Sequence, residues 1–114
     1  MRETIRDKER LEHIRDAIGR IERYMKGVSM TELMADDMRY YAVVKNIEII
    51  GEAANMLTFE FRSSHPETPW KMIVGMRNYI THEYFHVKTE VVKEVLMQDL
   101  PELSVQIERY LSEQ

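Results

Sequence analysis

Eleven consecutive residues, Met76-Arg77-Asn78-Tyr79-Ile80-Thr81-His82-Glu83-Tyr84-Phe85-His86, hold an arginine, an amide, two histidines, an acid and two tyrosines. Two chemical patterns overlap in them. Arg77-x4-His82-x-Tyr84 suits metal-free work on a phosphodiester. RNA is cut without metal when a base takes the proton of a ribose 2′-OH, an acid protonates the departing 5′-oxygen and a cation stabilises the phosphorane between them. An imidazole titrates near neutrality and serves the proton transfers. A planar, permanently charged guanidinium serves the phosphorane. On a helix Asn78 and His82 lie about 40° apart, so the amide can orient the imidazole, and Arg77 and Tyr84 are nearly in line. Arg77 and His82 lie about 140° apart, so they converge only by distortion, by side-chain reach or across two subunits. Each has a plainer alternative: Arg77 as an ion-pair partner of Glu52, and His82 as an interface histidine.

The second pattern, His82-Glu83-x-x-His86, has the spacing of the zinc proteases, two histidines on one helix face with a glutamate to polarise a metal-bound water. Such enzymes need a third ligand and a strand beside the motif. No histidine follows His86 and no stretch reads as a strand. Glu90, Glu94 or Glu102 would complete a site only by an unusual path. The expectation is no metal and no cofactor, with His86 an ordinary helix-end histidine.

The elements that position these residues read as helices. Leu11, Ile14, Ile18, Ile21 and Met25 recur at spacings of three and four, predicting a helix from about Thr4 to Lys26, with Gly27 as its stop. Ser29-Met30-Thr31-Glu32 has capping-box spacing and opens a short turn to about Ala35. From Asp36 or Asp37 to Leu57, Val43, Ile47, Ile50, Ala54 and Leu57 form one stripe, and Ala42, Ile49, Ala53 and Met56 a second beside it. So wide an apolar face predicts a central helix or a subunit interface. Gly51 inside it costs roughly 1 kcal/mol relative to alanine, which is tolerable if another backbone must approach closely. Glu52 is either a rim residue or the carboxylate that orients a buried arginine. Thr58 to Thr68 reads as the main connector, and Thr68-Pro69-Trp70 as an N-cap with proline at N1. The helix that follows turns Trp70, Ile73, Val74, Met76 or Arg77, and Ile80 inward and ends near Tyr84 to Val87. A last helix over about Thr89 to Ser112 contains Pro101, predicting a kink near Met97 to Leu100. The fold expected is all-α, an up-down antiparallel four-helix bundle with a kinked last helix, in one domain over residues 1–114.

The composition bounds the rest. Apolar residues at 44% and charged residues at 32% describe a globular chain rather than a disordered one. The chain has no cysteine, which excludes thiolate zinc and disulfide scaffolds. No window approaches the roughly 20 apolar residues of a membrane span, and Met1 to Arg6 lacks the core of a signal peptide. A cytoplasmic protein with no membrane partner is expected. The formal charge of −4 provides no global attraction for nucleic acid, so RNA binding requires a local patch.

Arg77-Asn78-x3-His82-x-Tyr84 resembles the R-x4-H-x-Y signature of the HepT-like proteins of the HEPN superfamily. Ile49-Ile50-Gly51-Glu52-Ala53-Ala54 is similar to their second-helix segment, Pro69-Trp70-x-x-Ile73-x-Gly75-Met76-Arg77-Asn78 to the run into the motif, and Leu100-Pro101-x-Leu103 to a late proline. The resemblance covers roughly residues 37 to 110. It implies a homodimeric HEPN-like helical bundle whose motif helices meet at a two-fold groove. The activity implied is a metal-independent endoribonuclease, the toxin of a toxin–antitoxin pair, acting on an RNA such as tRNA or mRNA. The implied antitoxin is a minimal nucleotidyltransferase that attaches nucleotide to the motif tyrosine. By position Arg77 and His82 are then catalytic, Asn78 and Glu52 supporting, and Tyr84 the modification acceptor. The alternative is a non-catalytic platform and modification substrate for that nucleotidyltransferase.

Overall fold

Helix α1 (Arg2–Met25) forms where the three-and-four spacing predicts it, burying Leu11, Ile14, Ala17, Ile18 and Ile21. The computed structural model describes residues 2–83 and 87–114, with side chains from Arg6 onward. Gly27 ends α1 at φ 71°, the left-handed conformation that favours glycine, and the N–H of Val28 donates to the Met25 carbonyl at 2.9 Å. The capping box is complete. The Glu32 N–H donates to Ser29 Oγ at 3.1 Å and the Ser29 N–H to Glu32 Oε1 at 3.0 Å, opening α2 (Met30–Ala35).

Helix α3 (Asp37–Met56) is the central element, packed against α1 on one side and α5 (Trp70–His82) on the other. Its first predicted stripe is wholly buried. Of the second, Ala53 is buried, Ala42 and Ile49 are half-buried and Met56 is exposed. Buried Asn46 joins it to α1, accepting from Arg20 Nε at 2.7 Å while its amide donates to the Ala42 carbonyl at 2.8 Å.

Two expectations about the connector are corrected. It contains a helix, α4 (Phe59–Ser64), started by Thr58, whose hydroxyl accepts from the Phe61 N–H at 3.1 Å. Thr58 is itself held by buried Asp7, which accepts from its N–H at 2.9 Å and its hydroxyl at 2.8 Å. Phe61 turns inward, stacks on His65 and meets Trp70 and Tyr110 edge-on. Nor does Thr68 cap α5: the N-cap is Pro69, without a side-chain bond. The Thr68 hydroxyl lies instead 2.7 Å from Gln106 Oε1 and 2.5 Å from the Tyr110 hydroxyl. The hydroxyl of this buried threonine is turned toward the last helix and away from the first turn of α5.

The predicted kink is a π-helical segment, Val95–Asp99, between α6 (Thr89–Glu94) and α7 (Leu100–Ser112). The Leu100 N–H reaches back to the Val95 carbonyl. Pro101 has no N–H to donate and its ring crowds the carbonyl four residues earlier, so the turn widens by one residue. Asp99 lies in this turn, and burial, then Glu94, then Glu102 hold its carboxyl above the ordinary range. A carboxyl raised in the folded state favours folding while protonated, and that contribution is lost as pH rises from its unfolded pKa through its folded one. Asp99→Asn is therefore expected to raise the melting temperature at pH 7 by about 2–4 °C and to leave it unchanged at pH 3. Thermal scans at both pH values check this, and an equal shift at both would remove ionisation as the cause.

Candidate active site

Helix α5 has three faces with different tasks. Trp70, Ile73, Met76 and Ile80 are buried and seat the helix. Arg77 points along the crossing with α3, where its Nη2 meets Glu52 Oε2 at 3.1 Å. Glu52 is exposed at the rim and makes the contact to the arginine, the ion pair that is also the plainer reading of Arg77. Asn78 and His82 lie on the exposed face, and His82 is the last residue of the helix, where the dipole favours a positive charge.

The Arg77–Glu52 pair depends on Gly51. A Cβ built on Gly51 would collide with Arg77 Cβ and lie 3.1 Å from the Ile73 carbonyl oxygen and 3.2 Å from Arg77 Cγ. This is a close approach of the kind that makes a mid-helix glycine tolerable. The energies indicate what it achieves. The pair is 26% and 56% exposed, and surface ion pairs contribute about 0–1 kcal/mol. Glycine in a helix interior costs about as much. The arrangement is near neutral for stability, so its result is the placement of a guanidinium. Arg77 Nε is buried without a hydrogen-bond partner among the described residues, so Glu52 holds the group from one edge and does not saturate it.

Helix α5 stops at His82. The Glu83 N–H donates to the Tyr79 carbonyl at 2.8 Å, but Glu83 itself has left helical geometry at φ −114°, ψ 27°. The helix therefore ends earlier than Tyr84 to Val87. The Tyr79 hydroxyl accepts from the Lys88 N–H at 3.1 Å, so one side chain and its own carbonyl fix both Glu83 and Lys88. Tyr84 and His86 lie outside the described residues. No hydrogen bond among the described residues joins Arg77 to His82, as their angular separation predicts. Sequence reasoning missed Tyr79; its position three residues before His82 was the available signal.

An all-α bundle that carries an arginine, an amide and a histidine toward one helix end is compatible with a nucleic-acid-processing protein. The Ribonuclease HepT-like family matches residues 14–110, and the chain belongs to that family. It is 38% identical over 104 residues to a protein of Caldanaerobacter subterraneus named "Putative RNase", covering 91% of this chain and 93% of the relative. It is 33% identical over 102 residues to "Probable ribonuclease HepT" of Thermococcus cleftensis, covering 90% and 93%. A Methanocaldococcus jannaschii protein named as both a gamma-glutamylcyclotransferase and a putative RNase is 35% identical over 103 residues, 90% of this chain and 46% of the relative. No solved structure matches.

Proposed function

We propose that this chain is a metal-independent endoribonuclease acting as the toxin of a toxin–antitoxin pair. The observation that carries the reading is Arg77, fixed at the α3–α5 crossing by Glu52 and Gly51 with Asn78 and His82 on the adjoining exposed face. Arg77 stabilises the dianionic phosphorane. His82 moves the proton of the 2′-OH or of the departing 5′-oxygen, with Asn78 one helical turn before it and no hydrogen bond among the described residues joining the two side chains. Attack of the 2′-oxygen on the adjacent phosphorus expels the 5′-oxygen, leaving a 2′,3′-cyclic phosphate and a 5′-hydroxyl. One motif carries one histidine, while the reaction needs an acid and a base. A homodimer with the two α5 ends facing one groove supplies both and brings each Arg77 near the other chain's His82.

The partner in this reading is a minimal nucleotidyltransferase antitoxin that modifies Tyr84, placing a phosphate near Arg77 and blocking the groove. Purified protein should run at about twice the 13.7 kDa chain mass in light scattering and cleave RNA in excess EDTA. Its products should carry 2′,3′-cyclic phosphate, and co-expression with the nucleotidyltransferase should add nucleotide mass that Tyr84→Phe abolishes. A monomer, or cleavage abolished by EDTA and restored by zinc, would refute the enzymatic reading. Added mass that persists in Tyr84→Phe would refute the role of the tyrosine.

A further inference from the structure

On its exposed side α5 borders an open groove of about 530 Å³, closed on the other flank by α4. Phe59, Arg62, Trp70, Lys71, Gly75 and Asn78 line it, with no acidic residue among its lining. The charge is notable in a chain whose formal balance is −4. Lys71, Gly75, Asn78 and His82 are spaced four, three and four, which keeps all of them within about 60° on the helix. The groove thus runs along the stripe that continues to His82, and from Lys71 to Asn78 it is about 10 Å long. Phe59 is 78% exposed at its edge, a full aromatic ring offered to solvent. Arg62 Nε is buried without a hydrogen-bond partner among the described residues. At Gly75 a Cβ would meet nothing within 4 Å, so the floor there is bare backbone beside empty space.

We infer that this groove is the path of an unpaired RNA strand toward Asn78 and His82, with a base stacked on Phe59 and phosphates on Arg62 and Lys71. The features combine two requirements of single-strand binding, a cationic track for the backbone and an aromatic face for the bases. A duplex cannot use Phe59, because its bases are already stacked on one another. The direction of the strand rests on the ribonuclease reading, since that reading places the reacting phosphate at His82. The substrate class that follows is single-stranded RNA, or a loop within a folded one.

The test is anisotropy of a fluorescein-labelled oligouridylate and of a duplex of equal length, in a His82→Ala background that prevents cleavage. Phe59→Ala is expected to weaken single-strand binding about tenfold or more, the value of one base–aromatic stack. Lys71→Glu should weaken it and lower the salt slope by about one. Gly75→Leu should fill the groove and weaken binding, while circular dichroism shows the helical fold intact. Arg15→Glu, an equal change of charge on α1, should leave the Kd within about twofold. The inference is overturned if the three groove variants bind like the parent, if Arg15→Glu weakens binding as much as Lys71→Glu, or if Phe59→Ala dissociates a dimer. The two readings fail separately. A wild type that cleaves no RNA, with groove variants that still lose binding, removes the nuclease and keeps the groove. A wild type that cleaves, with groove variants that bind normally, removes the groove and keeps the nuclease.

Discussion

His82→Ala is expected to lower RNA cleavage by about 10²–10⁴-fold, the usual contribution of a positioned proton-transfer group. Arg77→Ala should lower it by about 10²–10³-fold, the loss of one electrostatic contact to the developing charge. Neither change should disturb folding. His82 is exposed at a helix end. Arg77 is an ion-pair partner whose pair contributes at most about 1 kcal/mol. The readout therefore separates the catalytic role from the plainer alternatives of interface histidine and structural arginine. Initial rates at saturating RNA, melting temperature and light scattering are measured on the same samples. Loss of activity with an unchanged melting temperature and dimer mass is the expected result. Loss of activity together with dissociation would make His82 an interface residue, and full activity in either variant would remove that residue from the chemistry. Glu52→Gln is expected to fall between, lowering kcat several-fold with KM unchanged. It releases the guanidinium from its position without removing its charge.

The parts of this structure legible in the sequence are those set by local rules. The stripe of α1, the left-handed stop at Gly27 and the Ser29–Glu32 capping box depend on residues at most a few positions apart, and each formed as the spacing predicts. Gly51 was legible for a different reason. A glycine inside an otherwise strong helix carries a local penalty, and that penalty pointed to a tertiary cause, which is Arg77. What stayed hidden was long-range satisfaction of polar groups. Thr58 reads as connector until Asp7, 51 residues earlier, is seen to hold it and start α4. Thr68 reads as an N-cap until Tyr110 and Gln106 claim its hydroxyl. The carboxyl of Glu67 is held below its ordinary range first by a backbone hydrogen bond and then by the Tyr110 hydroxyl, a pairing across 43 residues. No window of sequence contains both members of such pairs. The end of α5 was misplaced by a smaller effect, the carbonyl and hydroxyl of Tyr79 together fixing the chain at Glu83 and Lys88.

Gly51→Ala is expected to invert the usual sign of a helix glycine substitution. An alanine in place of a helix-interior glycine normally stabilises by up to about 1 kcal/mol. Gly19, inside α1 with nothing within 4 Å of a built Cβ, should behave that way. At Gly51 the added methyl meets Arg77 Cβ, which is fixed to the α5 backbone and cannot rotate away, and it also lies against the Ile73 carbonyl. The only relief is separation of α3 from α5, which loosens Val43, Ile47, Ile73 and Ile80 in the core. Overpacking of this kind costs about 1–3 kcal/mol. Set against the propensity gain, the expected net is a loss of up to about 2 kcal/mol, while Gly19→Ala gains up to about 1 kcal/mol. The displaced α5 also carries Arg77 away from Glu52, so RNA cleavage should fall more steeply than the folded fraction does. Urea denaturation of both variants, with initial rates normalised to folded protein, checks both parts. If Gly51→Ala stabilises the chain as Gly19→Ala does, the α3–α5 contact is not as close as the structure places it. If stability falls but normalised cleavage does not, the position of the Arg77 guanidinium is not what the glycine secures.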